Sequence, residues 1–174
     1  MRRLAAVVEG HGEVAAVPLL LQRIHEREPS LAIPDLRQQD VLRVSRSKIV
    51  KERELERAVE FATRKVGRGG GVLVLLDADD DPACQLGPKL LARVVREGID
   101  VAVVMAVREF ESWFLTAAAS LAGVEGLPAD LKPPPEAASV RGAKEWLSKR
   151  MGAKGPCLLG PPPRALPRRR LLGR

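Results

Sequence analysis

The chain has 174 residues, of which 45% are apolar and 3% aromatic, and its formal net charge is +7. This length predicts one compact core rather than two full domains, and no apolar run reaches the roughly 20 residues of a membrane helix. We therefore expect a cytoplasmic protein with neither signal peptide nor membrane anchor. The two cysteines, Cys84 and Cys157, lie far apart, which argues against a zinc finger and a disulfide framework.

The positive charge is concentrated near the C-terminus of the sequence. Six basic residues and no acidic ones follow Gly152, so everything before it carries a net charge of only about +1. The basic composition therefore says little about what the folded part binds. We expect residues 1–151 to form the domain, and residues 152–174 to be an irregular basic tail, rich in proline and arginine, that is disordered or foreign to the fold.

Two β-α units are predicted in the first part of the chain. Residues 4–8 form a short apolar run that ends in a Gly-containing turn, and residues 14–27 carry apolar side chains at helical spacing. Pro18 suits that helix if it lies in the first turn. A second strand is predicted at residues 41–45, and an amphipathic helix at residues 49–66.

Two further β-α units complete the predicted sheet. Residues 72–76 are continuously apolar and predict a central strand, followed by a helix that Pro82 opens. Residues 101–105 predict a fourth buried strand, and residues 108–115 lead into another helix. Four such alternations predict an α/β fold, with a parallel sheet of about four strands and helices on both faces. A proline-rich loop and one more short helix are expected at residues 128–135 and 143–151.

Acidic residues follow three of the four predicted strands. Ligands of open parallel sheets bind at the carboxyl ends of the strands, so we expect these side chains to meet at one edge. Carboxylates gathered there repel one another unless a cation lies between them, and oxygen ligands favour Mg²⁺ or Mn²⁺ over zinc. The acidic residues are Glu9 and Glu13 after the first strand, Asp77, Asp79, Asp80 and Asp81 after the third, and Glu109 and Glu111 after the fourth.

Two short motifs in these positions resemble a known family. Glu9-Gly10 after the first strand and Asp77-Ala78-Asp79 after a hydrophobic strand resemble the Toprim signature of topoisomerases, primases and OLD-type nucleases. With Arg108-Glu109-x-Glu111-Ser112-Trp113-Phe114-Leu115, the chain is similar to uncharacterised bacterial Toprim-like proteins that are often encoded beside an AAA-type ATPase. The resemblance covers roughly residues 1–120.

The resemblance implies a Toprim-like, Rossmann-like domain and assigns roles to individual acids. Glu9 would act in acid-base chemistry or metal binding, and Asp77 and Asp79 would hold Mg²⁺ or Mn²⁺. Asp81, Glu109 and Glu111 are candidates for a second metal or its surroundings. The implied activity is metal-dependent phosphodiester hydrolysis by a nuclease acting on DNA or RNA, for example in defence with an ATPase partner.

Several alternatives stay open at the level of sequence. The chain has no tyrosine, which excludes tyrosine-based strand transfer, but it also fits a non-catalytic Toprim-like partner module of an AAA-type ATPase. The basic residues between 43 and 53 predict either a phosphate-binding edge or a solvated helix face. Asp79 to Asp81 are also typical of a helix cap, and Gly10-x-Gly12-x-x-Ala15 matches a relaxed dinucleotide fingerprint.

Overall fold

A computed structural model describes residues 2–49, 53–124 and 126–151 of the chain. Its four strands form one parallel sheet in the order β2-β1-β3-β4. The strands are β1 (Leu4–Val8), β2 (Val41–Arg43), β3 (Gly71–Asp77) and β4 (Asp100–Ala106). The helices are α1 (His11–Arg27), α2 (Arg46–Ile49), α3 (Glu54–Val66), α4 (Ala83–Val94), α5 (Ser112–Thr116) and α6 (Ala143–Ser148). The tail predicted at residues 152–174 lies outside the described residues.

The predicted α/β architecture is confirmed, with β1 and β3 at the centre of the sheet. Strand β1 and residues 72–76 of β3 are continuously apolar because most of their side chains, on both faces of the sheet, are buried. Ala5 and Val7 point to one face, where they pack with residues of α3 and α4, and Ala6 and Val8 point to the other, where they pack with α1. Helices therefore cover both faces, as the alternation of strands and helices predicts.

Helix α1 begins three residues earlier than residue 14, at which the apolar spacing predicts its start. The backbone N–H of Gly10 donates to a carboxylate oxygen of Glu13 at 3.3 Å, which starts the helix immediately after the turn. Pro18 consequently lies inside the helix and not in its first turn, so the condition under which a proline suits the helix is not met. A proline there lacks the N–H that would bond to the carbonyl of Val14.

A third apolar cluster lies beyond the sheet and joins the last part of the described chain to it. Leu115 from α5 and Leu147 from α6 are fully buried in this cluster, together with Leu127 and Leu131 from the proline-rich loop. Phe114 contacts both this cluster and the one beneath α1. Residues 112–124 and 126–151 therefore pack onto the domain as a short helical cap.

In the part of the chain that the structure describes, no helix is long and apolar enough to cross a membrane.

Candidate metal centre

The carboxyl ends of β1 and β3 bring together acids that are far apart in sequence. Glu9 follows β1, Asp77 ends β3, Glu13 lies in the first turn of α1, and Glu111 directly precedes α5. The charges of Glu9, Glu13 and Glu111 each act to raise the pKa of Asp77. Of the predicted site residues, the structure therefore places Glu9, Asp77 and Glu111 near enough for their charges to interact.

Glu9 has an unsatisfied carboxylate oxygen. Its Oε2 atom is buried, and none of the described residues donates a hydrogen bond to it. Burial raises the pKa of Glu9, the nearby guanidinium of Arg46 opposes that rise, and the charges of Asp79 and Glu13 add to it. A buried acceptor without a partner is costly, so this oxygen indicates a place for a proton or a cation.

Asp77 has the most strongly shifted side chain of the cluster. Burial, with the charges of Glu13, Glu9 and Glu111, raises the pKa of Asp77 to about 7, against an opposing hydrogen bond from a backbone N–H. That N–H belongs to Phe110 and donates to Asp77 Oδ1 at 2.8 Å. Asp77 is thus held in a fixed orientation while its charge is disfavoured.

Glu111 belongs to the same electrostatic group. Burial raises the pKa of Glu111, and the charges of Glu13 and Glu109 act in the same direction, whereas Lys144 lowers it. Helix α5 starts directly after Glu111, and Leu115 of this helix packs in the third apolar cluster.

Glu13 is the acid that sequence reasoning left out of the predicted ligands, although it stands in the first turn after β1. Only 6% of Glu13 is exposed, and its charge raises the pKa of Glu9, Asp77 and Glu111 alike. Its place in the cluster could have been predicted from helical geometry, because an acid in the first turn of a helix that follows β1 lies above the end of that strand.

Arg46 is the main counter-charge of the acidic edge. Its Nη1 donates to the backbone carbonyl of Asp77 and its Nη2 to Asp81 Oδ2, each at 2.5 Å, and its Nε lies 3.8 Å from Asp79 Oδ2. Only 22% of the Arg46 side chain is exposed. The sequence left a phosphate-binding edge and a solvated helix face open for this region, and Arg46 takes a third role as an internal ion-pair partner.

The loop of Asp79 to Asp81 is held by arginines and does not cap α4. Asp80 pairs with Arg108 and Arg141. The N-cap residue of α4 is Pro82, and no side-chain hydrogen bond caps the helix. The helix-cap alternative is therefore wrong, and Asp79 and Asp81 lie beside the cluster as partners of Arg46.

The side chain of Glu109 contacts the N-terminus of α6. Its two carboxylate oxygens accept hydrogen bonds from the backbone N–H groups of Gly142 and Ala143, at 2.8 and 2.9 Å. These N–H groups have no acceptor within α6, because they lie at its N-terminus. A carboxylate at this end also complements the helix dipole. Glu109 therefore fastens α6 to the edge of the sheet, next to the acidic cluster.

We expect Glu109→Gln to lower the free energy of unfolding by about 1–2 kcal/mol, because an amide offers only one acceptor to the two N–H groups. Urea unfolding of both proteins at neutral pH measures the difference. Glu97→Gln, at an exposed position before β4, is the matched control and should leave stability unchanged. Equal losses in the two variants would show that Glu109 does not hold α6.

The dinucleotide alternative conflicts with the position of Glu13. The carboxylate of Glu13 lies over Gly10, where an added Cβ atom would come within 2.3 Å of it. A dinucleotide places its pyrophosphate at that helix N-terminus, so an acid there repels it. The structure therefore favours a cation over a phosphate at the start of α1.

The carboxylates at this edge are the type of ligand that a hard divalent cation prefers, but they are not arranged as a ligand shell. Within the described ranges, no group of three or more His, Cys, Asp or Glu side chains is placed so that it could hold a metal ion. The unpartnered oxygen of Glu9 and the raised pKa of Asp77 nevertheless indicate an uncompensated need for positive charge. Rotation of an exposed carboxylate such as Asp79 would complete a ligand shell beside these two groups.

The fold and this edge define a parallel α/β domain with a carboxylate cluster at the ends of its central strands. Comparison of the chain with protein-family models, with curated proteins and with solved structures found no match.

Proposed function

We propose that this protein is a Toprim-like, Mg²⁺-dependent phosphodiester hydrolase that acts on nucleic acid. The observation that carries the proposal is the buried Glu9 Oε2 atom without a partner among the described residues, beside an Asp77 that neighbouring carboxylates disfavour as an anion. The resemblance of Glu9-Gly10 and Asp77-Ala78-Asp79 to the Toprim signature supports the same assignment.

Glu9, Asp77 and Asp79 are the residues that would hold Mg²⁺ or Mn²⁺, with Asp81 and Glu111 beside them. A bound divalent ion supplies charge stabilisation at a phosphoryl oxygen and lowers the pKa of water. Glu13 adds negative charge from the first turn of α1, and Glu109 contributes indirectly because both of its oxygens are engaged with α6.

The protein's own groups account for proton handling and substrate orientation. Burial raises the pKa of Glu9 and so favours its protonated form, which suits a group that takes up and returns a proton during hydrolysis. Arg46 and Arg108 border the acidic edge and present guanidinium groups, which suit phosphate oxygens. Substrate phosphates would compete with Asp80 and Asp81 for these arginines.

The test is divalent-ion binding by calorimetry, with the full chain and with Glu9→Gln and Asp77→Asn. We expect the wild type to bind Mg²⁺ or Mn²⁺, and each variant to lose at least about tenfold in affinity, since each removes one anionic ligand. Asp100→Asn is the matched control, because Asp100 lies at the amino end of β4, whereas the acidic cluster lies at the carboxyl ends of the strands. Cleavage of single-stranded and duplex DNA and RNA should depend on the same two acids.

Absence of divalent-ion binding in the wild type would contradict the proposed hydrolase. One arrangement favours the alternative of a non-catalytic partner module of an AAA-type ATPase: Arg46 already neutralises part of the acidic edge. The module would be supported by a stable complex with an AAA-type ATPase that forms equally well after Asp77→Asn.

A further inference from the structure

Strand β4 forms an edge of the sheet, and among the described residues no other strand pairs with its outer side. It is seven residues long and follows β3 in register over its whole length. Residues 101–107 contain no charged side chain, no proline and no glycine. Natural edge strands are commonly protected by such residues or by short length, so this edge is unusually open to pairing.

The outward-facing backbone groups of β4 follow from its pairing with β3. Asp100 donates its N–H to Gly70, and Ala106 accepts from Ala78, so the even-numbered residues direct their backbone groups towards β3. The N–H and C=O groups of Val101, Val103 and Met105 therefore point away from the sheet. Three donors and three acceptors are presented at regular spacing along this edge.

We propose that β4 pairs antiparallel with β4 of a second copy of this chain, about a two-fold axis at Val103. In this register Val103 faces Val103 of the other copy, and Val101 faces Met105. Three donors and three acceptors from each copy then form six hydrogen bonds, and every outward group of these three residues is satisfied in both strands. The two four-stranded sheets become one continuous sheet.

The side chains agree with a second copy as the occupant. Asp100 and Arg108 flank the strand, and each is already paired within its own chain, Asp100 with Arg2 and Arg108 with Asp80. Between these ends only apolar side chains meet, so no like charges oppose each other across the axis. The strand therefore complements itself in hydrogen bonding and in apolar surface.

An apolar groove continues the pairing surface on one face of the sheet. It has a volume of about 380 Å³ and lies between α4 and β4, where Cys84, Pro88 and Leu91 border Val103 and Met105. On the opposite face Val104 is 37% exposed. In the dimer, Val103 and Met105 of the second copy lie on the same face of the sheet as this groove. Their apolar side chains therefore extend the groove across the two-fold axis.

Light scattering of the full chain after gel filtration, at about 100 µM, tests the proposal, because a micromolar dissociation constant populates the dimer there. We expect a dimer for the wild type and a monomer for Val104→Lys, which places a charge on the edge without entering the core. Phe61→Lys is the matched control, because Phe61 is also exposed but lies on α3, and this variant should stay dimeric.

Amide hydrogen exchange gives a second measurement, which locates the contact. The amides of Val101, Val103 and Met105 should exchange at least about tenfold more slowly when the chain concentration is raised. The amide of Ala102 faces β3 within the same chain, so its exchange rate should not change with concentration. A monomeric wild type would overturn the proposal, as would a dimer that Val104→Lys leaves intact and whose β4 amides stay unprotected.

Discussion

Replacement of Asp77 by asparagine is expected to stabilise the protein at alkaline pH while it weakens divalent-ion binding. The Asp77 carboxyl is buried among Glu9, Glu13 and Glu111, and its pKa is raised to about 7. Asparagine keeps an oxygen that can accept the hydrogen bond from the Phe110 N–H and removes the disfavoured charge. At about pH 8 we expect a gain of about 2 kcal/mol, with allowance for residual solvent exposure.

The pH dependence has a definite sign. A carboxyl whose pKa is higher in the folded than in the unfolded chain binds a proton more readily when folded. The stability of the wild type should therefore fall as the pH rises from about 4 to about 7, and change little above that range through Asp77. Burial raises the pKa of Glu9 and of Glu111 as well, so these residues contribute in the same direction.

Urea unfolding at several pH values, in the presence of a chelator, measures this difference. The curve of stability against pH should be flatter for Asp77→Asn than for the wild type, and the two should converge near about pH 4. Asp100→Asn, at an exposed position, should reproduce the wild-type curve. Parallel curves for the wild type and Asp77→Asn would show that Asp77 is not the titrating group.

Replacement of Arg46 by glutamine is expected to have opposite effects on metal-free stability and on metal affinity. The Arg46 guanidinium donates to the Asp77 carbonyl and to Asp81, and its charge favours the ionised form of Glu9. Without it, the acidic edge loses its main counter-charge, so we expect the metal-free protein to lose about 2 kcal/mol.

The same change should tighten Mg²⁺ or Mn²⁺ binding about tenfold, because it removes a competing positive charge and frees oxygens of Asp79 and Asp81. Calorimetry measures the affinity, and urea unfolding with and without Mg²⁺ measures the recovery of stability. A purely structural Arg46 predicts the reverse, since a loosened loop would bind metal more weakly. The sign of the change therefore separates the two roles.

Arg64→Gln is the matched control for Arg46→Gln. Arg64 forms an ion pair with Glu60 on α3, but 74% of its side chain is exposed. Such pairs contribute little, so this variant should differ from the wild type by only about a few tenths of a kcal/mol, and its metal affinity should be unchanged.

The fold was predictable because each β-α unit shows its own local pattern. Residues 72–76 are apolar without interruption, and the structure makes them the core of β3, which pairs on both sides. Periodicity fixed the start of α1 less well, because its first turn depends on the hydrogen bond between Gly10 and the side chain of Glu13. Strand and helix types follow from local residues, whereas boundaries depend on individual contacts.

The candidate site was predictable in its location but not in its division of roles. The position of Glu9 and Asp77 after apolar strands is enough to place them at one edge, because parallel strands end on the same side. The pairing of Glu109 with α6 joins residues 33 and 34 positions apart, and Arg46 reaches Asp81 over 35 positions. Contacts of this kind depend on the completed fold, and no local pattern indicates them.

The attachment of α6 through Glu109 also bears on how the protein is made. The acidic edge depends on Gly142 and Ala143, which leave the ribosome well after β1, β3 and β4. The sheet can assemble first, with Phe110 in its apolar core, but Glu109 gains its two N–H partners only when the last described helix docks. We therefore expect an unfinished chain to contain the sheet, with Asp77 bound to Phe110, before Glu109 is engaged by α6.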